Sequence, residues 1–530
     1  MKMGNWFTAG RSMPVGLHGM VVSSQPLATQ AGLEILKRGG NAIDATVAMA
    51  AVLNVVEPMS TGIGGDAFVL VYLKKTGEIR ALNASGRAPY AATLDYFRDK
   101  NIAAIPDTGM LPVTVPGALD GWAVVTERHG TMSLRELLQP AICYAEEGFP
   151  VAEKAAHEWA KSTAKLSAHP NSAANYLTNG RAPNAGEKFR QKNLAASLRK
   201  IADGGKEVFY GGELAEEIVR FSQKNGGLLS LKDFKDHTST WVDPIKTSYR
   251  GHEVYELPPN TQGITVLQML NMLQPFDVVS LGYNTTAYVH LLIEIKKLAF
   301  ADRDQYLADP EFTRVPVERL ISKSYAAERV KRIDPNRAGE YPAGLGALSG
   351  DTQIFCAVDG EGNAVSFINS LFEGFGCGLV GGNTGIMLQN RGKLFSLDPA
   401  DPNCVAPHKR SSHTIMPAMV FKEQKPFLIF GVTGAHMQPQ GQVQVLANLI
   451  DFGMTLQQAL DAPRVNHLEG LEVALEAGIA PDVREELRQK GHRVLDEANF
   501  GGGQAIMIHP EYGTLIGGSD PRKDGCAMGY

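Results

Sequence analysis

The sequence predicts a mixed α/β protein of the α+β kind, with the second half richer in sheet. Three observations carry that expectation. Apolar runs joined by short Gly-containing turns recur at 67–83 and 352–371, the pattern of β-hairpins. From about 130 to 340 the chain is charged and mostly helical in pattern, broken by Gly and Pro. Glycine is in excess, at 56 of 530 residues, against a usual share of roughly 7%. These glycines cluster without a period, which suits tight turns and close backbone approaches rather than collagen or low complexity.

Taken in order, Val21-Val22-Ser23-Ser24 reads as a short strand, and the run through Leu33, Ile35 and Leu36 as a helix stopped by Gly39-Gly40. Asn41-Ala42-Ile43-Asp44 opens an Ala-rich helix with small residues on every face, the composition of a buried, closely packed helix, and Glu57-Pro58 ends it. Gly62-Ile63-Gly64-Gly65-Asp66 is a tight turn into the strand Ala67–Leu73; Lys75-Thr76-Gly77-Glu78 turns the chain back through Ile79–Asn83. Leu134–Glu147 and Leu291–Leu307 are helices. Trp241–Ile245 and Glu253–Leu257 are extended, and Pro244 restricts the first to a sheet edge or a strand entry. Residues 335–351, small, polar and rich in Pro and Gly, form an exposed loop or linker. Thr352–Val358 and Asn363–Leu371 are strands about the turn Asp359-Gly360-Glu361-Gly362. Strands follow at Ile386–Leu388, Ala418–Phe421, Phe427–Gly431 and Gln504–Ile508, and helices at Gln442–Asp451 and Thr455–Ala462.

The length suits two or three ordinary domains or one large one, with a core that needs no metal or disulfide staple. Basic and acidic residues number 51 and 56, for a net charge of −5. They are mixed without blocks, which argues against a nucleic-acid or polybasic membrane partner. Five cysteines, an odd number with no CxxC, favour a reducing compartment over a zinc framework. The N-terminal stretch lacks the continuous apolar segment of a secretory signal, and no run of about 18 apolar residues follows. A cytoplasmic location is the expectation.

Generic motifs carry little. Gly374-Phe375-Gly376-Cys377-Gly378 lacks the strand, helix and later acidic residue of a dinucleotide site. His408, His413 and His436 fit no metal-ligand spacing and read as polar loop histidines, so no metal and no cofactor are expected. No GxSxG elbow is present. Cys356, inside an apolar run, reads as a buried structural thiol.

The informative stretch is Ser349-Gly350-Asp351-Thr352, a threonine that follows the linker and opens an apolar hairpin. Inside a chain its hydroxyl is a poor nucleophile. If the bond before it is cut, the new α-amine, with a pKa of roughly 7.7–8.0, can serve as the base beside the hydroxyl. Residue type alone favours a polar residue entering a strand; the surroundings reverse that. Over essentially its full length the chain resembles the γ-glutamyltransferase family of N-terminal-nucleophile hydrolases. The resemblance is carried by Val22-Ser23-Ser24-Gln25-Pro26, Gly39-Gly40-Asn41-Ala42-Ile43-Asp44, Gly62-Ile63-Gly64-Gly65-Asp66, Arg87-Ala88-Pro89 and Val115-Pro116-Gly117. It continues in Ala301-Asp302-Arg303-Asp304, Asp351-Thr352, Phe375-Gly376-Cys377-Gly378, Pro407-His408-Lys409-Arg410, Asp461-Ala462-Pro463-Arg464 and Gly518-Ser519-Asp520-Pro521-Arg522.

The resemblance implies a four-layer αββα sandwich, made as one precursor that cuts itself between Asp351 and Thr352. Residues 1–351 would form a large subunit and 352–530 a small one, the two remaining intertwined. Thr352 would be the nucleophile, first on the Asp351 carbonyl and then on a substrate amide. Ser370 matches the hydroxyl that orients it. Gly434 and Ala435 match the Gly-Gly pair whose backbone N–H groups form the oxyanion hole, a role that Ala fills as well as Gly because only the backbone donates.

Substrate recognition departs from the family pattern. Arg87 matches the arginine that grips the substrate α-carboxylate, a task suited to a guanidinium. The Asn, Gln and Asp that hold a γ-glutamyl α-ammonium correspond to Phe372, Arg391 and Leu394, and two carboxylate-binding serines to His413 and Thr414. The stretch from Leu394 to Pro407 is short for the family's lid loop. A carboxylate anchor is thus kept and the ammonium anchor lost. That favours a small carboxylate-bearing amide, as in the branch that hydrolyses oxamate to oxalate and ammonia in purine-ring catabolism. A γ-glutamyl hydrolase or transferase acting on glutathione, or a glutaryl- or cephalosporin-type acylase, is the alternative. A non-catalytic binding paralogue is disfavoured by the retained Thr352, Ser370 and Arg87. Expected partners are the small substrate and the chain's own two subunits, with no nucleic acid and no membrane; a homodimer of two-chain protomers is compatible with the sequence.

Overall fold

The computed structural model describes residues 10–341, 350–496 and 499–530. The N-terminal segment 1–9 and residues 342–349 of the expected linker, Ser349 among them, lie outside the described residues. Two seven-stranded antiparallel sheets face each other. One runs in the order Cys526–Gly529, Met20–Ser23, Asp351–Val358, Ala364–Phe372, Asp66–Leu73, Glu78–Ala84, Thr240–Val242. The other runs Val15–Gly16, Leu515–Ser519, Gly503–Ile508, Lys425–Val432, Ala418–Lys422, His252–Glu256, Ile245–Tyr249. Between them lies an apolar layer that includes Phe68, Leu70, Ile354, Ile368, Met419 and Ile429.

Helices cover both outer faces. On the first sheet lie Pro26–Lys37 and Ala42–Val56. Every residue of the second is buried, as its all-round small, apolar composition requires. Asn41 caps it and Asp44 closes the reciprocal capping box. On the other sheet lie Gly263–Leu273, Thr286–Tyr306 and Met437–Ile450. The arrangement is the αββα sandwich, and both sheets mix strands from before and after residue 351.

Two expectations need correction. Trp241–Ile245 is not one strand: Thr240–Val242 ends the first sheet and Ile245–Tyr249 the second, and Pro244 sits in the step between two edges. Ile386–Leu388 is not a strand; Met387 makes only an isolated bridge to Val380, because Gly385 enters it in a left-handed conformation (φ 72°). Leu515–Ser519 and Cys526–Gly529 escaped the sequence reading. Their small residues serve a close approach of the two sheets: a Cβ on Gly517 would lie 2.5 Å from that of Ala527. Among the described residues, no helix is long and apolar enough to cross a membrane, and all five cysteines are unpaired.

Candidate active site

Thr352 sits at an irregularity in the central hairpin of the first sheet. Asp351 faces Phe372 and Gln353 faces Asn369, so Ser370 and Leu371 together oppose Thr352. Such a bulge re-aims side chains. Here it brings Thr352 Oγ1, a donor, to 3.1 Å from Ser370 Oγ, and Ser370 Oγ in turn donates to the Asp351 carbonyl at 3.0 Å. The same oxygen accepts the Phe372 N–H at 2.8 Å, which helps hold Phe372 at φ 82°. On the other side Ser370 pairs with Asp66, and the neighbouring Gly65 has no room for a side chain: a Cβ would fall 2.2 Å from the Ser370 carbonyl oxygen. The nucleophile candidate, its orienting hydroxyl and the carbonyl before it are therefore in one buried hydrogen-bonded line. That line can pass the threonine proton toward Ser370 while Ser370 supports charge on the carbonyl oxygen.

Arg391, from the short turn Arg391–Leu394, reaches this line. Its Nη2 donates to Ser370 Oγ at 3.1 Å and its Nη1 to Thr414 Oγ1 at 2.8 Å, with the guanidinium 4.4 Å from the centre of the Phe372 ring. The group is fully buried, and burial pushes it down to about 9 despite the charges of Asp66 and Glu373. Among the described residues no carboxylate lies within 4 Å of it, and its Nε has no hydrogen-bond partner. His413 turns instead to Asp66, Nε2 to Oδ2 at 3.1 Å, and lies edge-on to Phe68. Burial, then Arg391, pushes His413 to about 3, so it is neutral. Asp66 is held below the ordinary carboxylate value against its burial by His413, Arg391 and Gln389; its Oδ1 accepts the Gly86 N–H at 2.8 Å and Gln389 Nε2 at 2.9 Å.

Gly434 and Ala435 follow the strand Lys425–Val432 and precede the helix Met437–Ile450. Both are left-handed, at φ 107° and 50°, and a helix N-terminus beside them adds favourable field for an oxyanion. Ala435 is packed toward the line: a Cβ on Gly350 would lie 3.0 Å from its Cβ and 3.0 Å from the Phe372 carbonyl. Gln262 fixes the segment by donating to the carbonyls of Thr414 at 2.6 Å and Ala435 at 3.0 Å. Leu394, His413 and Thr414 line a cavity of about 20 Å³ with Gln262, Arg303 and Asn403, space for little more than a water.

Arg87 is drawn elsewhere. Its Nη2 meets Glu311 at 2.8 Å, its Nη1 lies 3.8 Å from Asp309, and Nη1 donates to the His408 carbonyl at 3.2 Å. The three histidines are engaged separately: His408 stacks on Tyr90, His413 bonds Asp66, and His436 lies edge-on to Phe300. The potential metal-ligand group found among the described residues is His290, Glu294 and His492. Its two imidazoles bond each other at 2.8 Å and the Lys297 ammonium meets Glu294 at 2.8 Å, a closed polar network with a cation already in it. Cys356 is buried, its thiol pushed up to about 12 by desolvation. The sequence reading assigned no role to Asp66, Ser60 or Lys523. Asp66 lies in a quoted motif, but nothing local in the chain marks the other two.

A profile of the gamma-glutamyltranspeptidase family matches residues 28–530. The glutathione hydrolase-like YwrD proenzyme of Bacillus subtilis is 41% identical, covering 97% of this chain and 99% of its own length. The oxamate amidohydrolase proenzyme of Klebsiella pneumoniae is 36% identical over 98% of this chain and 100% of its own. The crystal structure of cephalosporin acylase from Bacillus halodurans superposes with a TM-score of 0.93 at 42% identity, covering 100% of this chain and 99% of that one. With a profile match that spans nearly the whole chain and full-length relatives that are proenzymes, the protein belongs to the gamma-glutamyltranspeptidase family and is a self-processed hydrolase of amide C–N bonds.

Proposed function

We propose that Thr352 is both the cleavage residue and the nucleophile, and that the mature enzyme hydrolyses a small amide whose acyl part carries a carboxylate, oxamate being the simplest case. One observation carries the reading: Arg391 is a buried cation beside Ser370 with no carboxylate in contact. A buried charge is costly unless paired, and a substrate carboxylate next to the scissile carbonyl supplies the partner. Phe372 and Leu394 stand where an ammonium would need acceptors, and neither offers one. Arg87, already paired with Glu311, is not the carboxylate anchor in this reading.

In this mechanism Thr352 Oγ attacks the amide carbon and its own α-amine takes the proton. The Gly434 and Ala435 N–H groups hold the oxyanion, and ammonia or an amine leaves with that proton before water releases the acid. A longer carboxylate-bearing acyl group is the second reading, favoured by the likeness to cephalosporin acylase. Its products differ in the length of the acid released and in the amine that leaves. Turnover of the matured protein on oxamate, a glutaryl amide and glutathione separates them. The proposal expects oxamate to lead; efficient glutathione turnover overturns it, since Phe372 and Leu394 offer the glutathione ammonium no acceptor.

A further inference from the structure

The side chain before the cut is held as firmly as the nucleophile. Asp351 Oδ2 accepts from Ser60 Oγ at 2.6 Å, and Oδ1 lies 3.2 Å from the Lys523 ammonium while accepting the Thr352 N–H at 3.0 Å. Ser60 also accepts the Leu371 N–H on its carbonyl at 3.0 Å, which ties it to the strand bearing Ser370. Lys523 lays its stem on Gly502, where a Cβ would fall 2.6 Å from the lysine Cγ. The Gly502 N–H bonds Thr433 Oγ1, next to Gly434, at 3.0 Å. Behind Lys523 lies Glu57, fully buried, bonded by Ser24 Oγ at 2.6 Å, and pushed up to about 7 by burial against the pull of Lys523. Near neutral pH Glu57 is only partly charged, so the Lys523 ammonium falls mainly to Asp351. Asp524 and Glu158 also face this group.

We propose that Ser60 and Lys523 form a clamp on Asp351 that positions the scissile peptide for self-cleavage. The clamp fixes the Asp351 carbonyl against Ser370 Oγ and its carbon before Thr352 Oγ1. This rests on Thr352 being the cleavage residue. In the step itself the C–Oγ bond forms, the C–N bond breaks and the hydroxyl proton ends on the Thr352 nitrogen. Water then splits the ester, restoring Oγ–H and leaving an α-carboxylate on Asp351. Ser60 and Lys523 act through Asp351 and touch none of the reacting atoms, so they are positioning residues.

The test follows conversion of full-length precursor to two chains by intact mass. Lys523→Met and Ser60→Ala should slow it about tenfold or more, as small misplacements of reacting groups do, and Lys523→Arg should recover most of the rate. In an Asp351→Asn background the ion pair is already gone, so adding Lys523→Met should change the rate less than about twofold, the signature of coupled sites. Melting of the same variants carrying Thr352→Ala, which stay uncut, should match that parent. Wild-type rates in Lys523→Met and Ser60→Ala, or independent effects of Lys523→Met and Asp351→Asn, overturn the clamp alone. A small chain that begins anywhere but Thr352 overturns the clamp and the cleavage assignment together.

Discussion

Replacing Arg391 with Met separates stability from recognition. Burial pushes the guanidinium down to about 9, roughly 5 kcal/mol against the charged form at about 1.4 kcal/mol per unit. Its two hydrogen bonds, to Ser370 and Thr414, return about 1.5–3 kcal/mol each. The two terms nearly cancel, so Arg391→Met should leave the unfolding free energy within about 2 kcal/mol, as replacing buried ions by apolar groups often does. Recognition behaves differently. A desolvated guanidinium–carboxylate pair is worth roughly 2–5 kcal/mol, so kcat/KM for oxamate should fall at least about thirtyfold. Oxamide, with a second amide in place of the carboxylate, reports any loss of Ser370 positioning, and the ratio of the two substrates isolates the carboxylate. The pH dependence has a definite sign: Arg391 loses its charge as pH rises through about 9, so wild-type kcat/KM for oxamate should fall there while that for oxamide does not. Equal losses on both substrates, or an unchanged oxamate rate, would refute the carboxylate assignment.

Four further outcomes can be checked. Glu57 has a folded value of about 7, above its ordinary 4.5, so the folded state binds the proton more tightly and its contribution to stability is lost as pH rises from 4.5 through 7. Glu57→Gln should therefore gain on wild type by up to about 3 kcal/mol between pH 5 and pH 8, read from urea midpoints. His413 and His237 are pushed down to about 3 and about 4, chiefly by burial. The unfolded chain takes their protons first, and stability falls as pH drops below 6.5 by up to about 1.4 kcal/mol per unit for each. Gly65→Ala should drive the Ser370 carbonyl away and block formation of two chains on a gel, whereas Ala435→Gly, which relieves a φ of 50°, should raise stability by about 1 kcal/mol.

What could be read from the sequence was local. The hairpins 66–84 and 351–372 declare themselves because apolar runs and Gly turns sit side by side, and the helix Ala42–Val56 because its cap and its small residues are contiguous. Phe372, Arg391, His413 and Thr414 could be placed by register: Phe372 and Arg391 contact Ser370, Thr414 bonds Arg391, and His413 turns to Asp66. The long-range pairings were not legible. Ser60 and Lys523 lie 291 and 172 positions from Asp351, and no residue near either hints at the contact. Arg87 illustrates the same limit: its type suits a carboxylate, but only the fold brings Glu311, 224 positions away, to it. The strand Leu515–Ser519 was hidden because its glycines, poor strand formers, make room for neighbours distant in sequence: Gly517 for the other sheet at Ala527 and Gly518 for Leu456 and Leu460.

The strand order has a consequence for the life of the mature protein. Asp351–Val358 lies between Met20–Ser23 and Ala364–Phe372, while Asp66–Leu73 closes over the far side and Cys526–Gly529 returns to the rim. If the chain is severed before Thr352, as proposed, the small fragment owns three strands of this sheet and the large fragment four, with Met20–Ser23 held between two strands of the small fragment. Folding is then unimolecular only once, before the cut; any later reassembly is a bimolecular search between two incomplete, sticky halves. The matured enzyme should accordingly denature in one direction, with an apparent melting point that moves with scan rate, while uncut Thr352→Ala recovers on cooling. Its durability is set by how slowly it opens.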